Sequence, residues 1–117
     1  MRYRPYIAQD IGELLDKLGA MTLCAPLFKD RTGYFPQMNL ESEFFGLNES
    51  LLALRKRLGE ERYATLKGLS DKMRSLFEAD PENKTGETRA GRKILQEMEG
   101  IVRDAAKRKG SKLPSTF

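Results

Sequence analysis

The chain has 117 residues, of which 39% are hydrophobic and 32% charged, and its formal net charge is +4. That length suits one domain with one modest core and leaves no room for separate cofactor and substrate domains. The composition is that of a folded chain, no stretch approaches the roughly 20 apolar residues needed to cross a bilayer, and Met1-Arg2-Tyr3-Arg4-Pro5-Tyr6 leads to Gln9 and Asp10 rather than to the apolar run of a signal peptide.

Ile7, Ile11, Leu14, Leu15 and Leu18 recur at helical spacing, which predicts a first helix over 7–18 closed by Gly19. Residues 20–38 read as a connection punctuated by Pro26, Gly33 and Pro36, with turn chemistry at Asp30-Arg31-Thr32-Gly33. It is rich in apolar residues for a loop, and connections of this length in small domains are uncommon and often functional. Leu23, Leu27, Phe28 and Phe35 are its expected anchors on the bundle. Their burial has to offset the backbone entropy lost on ordering the segment. The tip over 29–33, with Lys29, Asp30 and Arg31, is then expected to project into solvent beside Tyr34.

Asn39 is placed to cap a second helix, whose stripe is Phe44, Leu47, Leu51, Leu54 and Leu58, widened by Phe45 and Leu52. Gly59 ends it. Glu60 and Glu61 suit the positive first turn of a third helix, which runs through Tyr63, Leu66, Ser70, Met73 and Phe77. The short turn at Gly59 predicts an antiparallel hairpin of these two helices. Pro81 stops the third helix, and a fourth starts near Thr85 or Thr88 with the stripe Ile94, Leu95, Met98, Ile101, Val102 and Ala105. Gly91 and Gly100 lie inside it; each costs about 1 kcal/mol relative to alanine, which points to a close helix crossing. The expected fold class is all-α: a compact bundle of about four helices, with a single helical domain over 1–110 and a frayed tail over 111–117.

The absence of histidine removes the usual general base, every Ser-His or Cys-His dyad and histidine metal motifs. With one cysteine, no structural zinc site remains, and neither a cofactor nor a metal is expected. Asp80, Glu82, Lys84 and Gly86 faintly follow a calcium loop, but the glycine falls one place late and Gly91 stands where the closing glutamate belongs. The carboxylate pairs Glu41/Glu43, Glu60/Glu61 and Glu97/Glu99 point to different helix faces. Cys24 reads as a small apolar core group, and a lone thiol fits a reducing, cytoplasmic setting.

Surfaces are left to carry function. Arg103, Lys107, Arg108, Lys109 and Lys112, offset by Asp104 alone, account for the whole net charge. They suit nucleic acid phosphates or an acidic protein, or simply the helix C-terminus. Tyr34, Phe35, Phe44 and Phe45 form an aromatic group; only one of Phe44 and Phe45 can point straight into the core, and the other is either left exposed as a partner site or, the favoured expectation, shielded by the connection. Arg55-Lys56-Arg57 should be solvated. These features predict a non-enzymatic protein-binding module of inhibitor or immunity type, with Lys29, Asp30, Arg31, Tyr34, Phe35 and Phe45 at the partner surface. The alternative is a nucleic-acid-associated accessory protein using the basic end. No membrane contact is expected, and spare apolar surface leaves room for a homodimer.

Overall fold

The computed structural model describes residues 6–28 and 38–109. Every regular element among them is a helix: α1 (Ile11–Cys24), α2 (Leu40–Ala53), α3 (Arg55–Leu58), α4 (Glu60–Ala79) and α5 (Glu87–Lys109). The all-helical class is therefore observed, with five helices rather than four. The second helix of the sequence reading divides at Leu54, whose φ of −101° and ψ of 10° leave the helical region. The rod still continues past this point, because Leu54 N–H reaches the Ser50 carbonyl at 3.0 Å and Leu58 N–H reaches the Leu54 carbonyl at 2.9 Å.

The first helix is shifted from its expected position. Asp10 accepts the Glu13 N–H at 2.8 Å, while the Glu13 carboxylate accepts the Gln9 N–H at 2.7 Å. These reciprocal bonds start the helix at Ile11 and hold the preceding residues out of it. Ala8 N–H is used elsewhere, donating to the Ser50 hydroxyl on α2 at 2.8 Å. Gly19 does not stop α1, because glycine permits a turn without requiring one. Pro26 does: it forces Ala25 out of the helical region, to ψ 149°.

This extension reverses two of the expected anchors. Once residues 20–24 are helical, Leu23 falls on the outer face with Asp16 and Ala20, and it is 78% exposed; Leu27 is 46% exposed. Phe28 is an anchor as expected, fully buried at a left-handed φ of 56°. Its ring meets Phe44 and Phe77 edge-on, with centroids 5.6 and 5.3 Å apart. The turn after α1, α2 and α4 thus share one aromatic centre. Arg92 on α5 fastens the same turn by donating to the Ala25 carbonyl at 3.0 Å. The Phe35 anchor lies outside the described residues.

α4 and α5 form the most extensive helix pair, α1 packs on α5, and α2 packs on α4. Most of the expected core is buried, from Leu14 and Leu18 through Leu51 and Leu66 to Met98 and Val102. Ile11, Tyr63 and Ile101 only flank it. The two glycines of α5 behave differently. A Cβ on Gly91 would stand 2.5 Å from the Phe77 ring, so a close crossing is built there; one on Gly100 would meet nothing within 4 Å, which corrects that expectation.

The acidic loop between α4 and α5 is structural. Asp80 is buried, and its carboxylate accepts backbone N–H groups from Lys84 at 2.7 Å, Thr85 at 3.2 Å and Thr88 at 3.0 Å. The Thr88 hydroxyl returns a bond to the Asp80 carbonyl at 3.0 Å. Burial by itself would raise the pKa of this carboxyl, but the backbone donors from Thr88, Lys84 and Thr85 outweigh burial and hold it at about 2. These bonds occupy its oxygens, and no cluster of three or more metal-ligating groups exists among the described residues. No described helix is long and apolar enough to cross a membrane.

Candidate functional site

Successive helical residues are about 100° apart, so a residue next to a core position is carried outward. Phe44 enters the core and is fully buried; Phe45 beside it is 53% exposed. The expectation that Phe45 is covered by the connection is therefore corrected. One heptad later the pattern repeats, with Leu51 fully buried and Leu52 50% exposed. Seven residues bring a helix almost back to its starting direction, so Phe45 and Leu52 share one outward face of α2, two turns apart. Asn48 in the turn between them is fixed from behind, its carboxamide oxygen accepting the Ser70 hydroxyl of α4 at 3.0 Å. The face is thus an apolar stripe on a helix whose other side is locked into the core.

A second feature is a cleft between α1 and the start of α2. Its volume is about 400 Å³, and its lining includes Lys17, Met21, Cys24, Phe28 and Glu43. The Lys17 and Glu43 side chains, only 3% and 10% exposed, form an ion pair at 3.7 Å. Burial lowers the Lys17 pKa, and the Glu43 charge offsets this only in part. Both residues occupy positions within apolar stripes: Lys17 among Leu14, Leu18 and Met21, Glu43 beside Phe44 and one turn before Leu47.

Where α3 and the start of α4 face α5 there is a third concavity, of about 690 Å³. It carries Glu60, Glu61, Glu97 and Asp104 over Leu58 and Ile101. Arg62 bridges it to Asp104 at 2.8 Å, and Arg55 forks onto Glu60 at 2.7 to 3.1 Å while lying 4.7 Å from the centroid of the Tyr63 ring. Arg55, Lys56 and Arg57 are all exposed, as expected.

Of the residues read from sequence as a partner surface, Phe45 is exposed on α2, whereas Lys29, Asp30, Arg31, Tyr34 and Phe35 lie outside the described residues. In the basic group, Arg103 and Lys107 are exposed one turn apart on α5. The side chains of Arg108 and Lys109, and all of Lys112, lie outside the described set. Sequence reading missed the exposure of Leu52 and the Lys17–Glu43 cleft. For the cleft, the available signal was a charge standing inside each of two apolar stripes. No family model, no curated protein and no solved structure matches this chain.

Proposed function

We propose that the protein is a non-enzymatic binding module that docks a protein partner on the outer face of α2, an inhibitor or immunity-type protein that acts by occlusion. The carrying observation is the pair Phe45 and Leu52, half exposed and aligned on a helix that is held rigid from behind. Large apolar side chains presented on a fixed backbone lose little conformational entropy on docking, and aromatic anchors dominate interface energies. The lack of histidine supports a role without general acid-base chemistry. A reducing, cytoplasmic setting goes with this reading, since Cys24 is the one thiol of the chain.

The test is affinity capture with the intact chain and with the double variant F45E/L52E. Both positions are exposed, so the variant should melt within a few degrees of the parent while losing the captured protein. A partner retained at full yield sends the search away from α2. The alternative, a nucleic-acid-associated protein, draws on the exposed Arg103 and Lys107. It requires binding to duplex or single-stranded nucleic acid that falls steeply with salt, with a shallower slope in R103Q/K107Q.

A further inference from the structure

We propose that Lys17 is a covalent capture site for small apolar aldehydes, forming an imine within the cleft between α1 and α2. The inference is independent of the α2 docking face. It begins from what the amine touches. Lys17 is nearly sealed from bulk solvent yet lines a cavity of about 400 Å³. Its one ion-pair partner among the described residues is Glu43, at 3.7 Å, beyond hydrogen-bond length. Its N–H donors therefore front a space whose walls are mostly apolar, from Ala20, Met21, Cys24, Phe28 and Met38, with Tyr6 and Asp16 also in the lining. An apolar molecule carrying a single acceptor oxygen matches that arrangement: the walls take the hydrocarbon body, and the amine meets the oxygen-bearing carbon.

The chemistry balances with the groups present. Proton transfer within the pair gives a neutral Lys17 amine and a protonated Glu43. The amine lone pair forms a bond to the carbonyl carbon as the π electrons move to oxygen, which takes the proton from Glu43. The carbinolamine then expels that oxygen as water, carrying away two hydrogens that began on Lys17. What remains is a protonated imine beside the Glu43 carboxylate, with no oxidant or reductant consumed. Burial favours the first step, since desolvation acts against the ammonium form.

The test uses the intact chain at neutral pH with hexanal and cyanoborohydride, which reduces the imine to a stable secondary amine. Peptide mass mapping then compares Lys17 with the exposed Lys56 and Lys72. The expected result is labelling at Lys17 several-fold above that at either exposed lysine. Glyceraldehyde, too polar for the walls, should show no such excess. Labelling of Lys17 no faster than Lys56 overturns the proposal. Equal preference for hexanal and glyceraldehyde overturns the assignment of apolar aldehydes.

Discussion

Lys17 and Glu43 place two opposite charges where the stripes of α1 and α2 call for hydrocarbon. Removing Glu43 takes away the counter-charge of the buried Lys17, whereas replacing both with apolar groups of similar volume is often neutral or stabilising. E43M should therefore lower the urea midpoint clearly, and K17M/E43M should recover to within about 1 kcal/mol of the parent or exceed it. A double variant less stable than either single one would show that the pair contributes more than it costs. Asp80 gives a prediction in pH. Its carboxyl falls from an ordinary 3.8 in the unfolded chain to about 2 in the fold. A depressed folded pKa gives stability that is fully present above about 3.8 and lost as the pH falls through about 2. Denaturation midpoints should therefore drop between these values. D80N should start lower at neutral pH and show a flatter acid limb; an unchanged limb would remove Asp80 as the titrating group.

At the level of helices, the two glycines of α5 should respond in opposite ways to the same substitution. G91A drives a methyl into Phe77, whose ring is fixed by Phe28 and Phe44. The overpacking, about 1 to 3 kcal/mol, outweighs the roughly 1 kcal/mol gained in helix propensity. G100A meets open space and should stabilise by up to about 1 kcal/mol. Thermal melts of the two variants, moving in opposite directions from the parent, check both. α4, α5 and the rod formed by α2 and α3 were legible from sequence because a repeat of three and four residues is the geometry of the helix itself; the division of that rod at Leu54 was not, because the apolar repeat runs through it unbroken. The register of α1 was not, because the Asp10 and Glu13 cap and the pull of Ser50 on Ala8 compete with an apolar stripe that starts earlier. The outward face of α2 was half legible: adjacent phenylalanines announce that one must point away, but not whether anything covers it. The cleft needed the partner helix, since periodicity treats a lysine between leucines as a flanking charge until its neighbour is in place.

At the scale of the molecule, Phe28, Phe44 and Phe77 join three separate parts of the chain in one contact. F28A should cost about 3 to 5 kcal/mol. It should also shift far-ultraviolet dichroism and tyrosine fluorescence transitions together, since one core unfolds as one unit. Separated transitions would show that α1 and its following turn melt independently of the α4–α5 pair. The arrangement has a further consequence for synthesis. α1 packs on α5, so a helix made early depends on one made later. A chain growing on the ribosome must carry α1, with its core residues Leu14, Leu18 and Met21, before the helix it packs on most extensively has emerged. Throughout elongation, nascent α1 is an apolar ligand awaiting its own receptor, and chaperones that read such segments have their longest opportunity there.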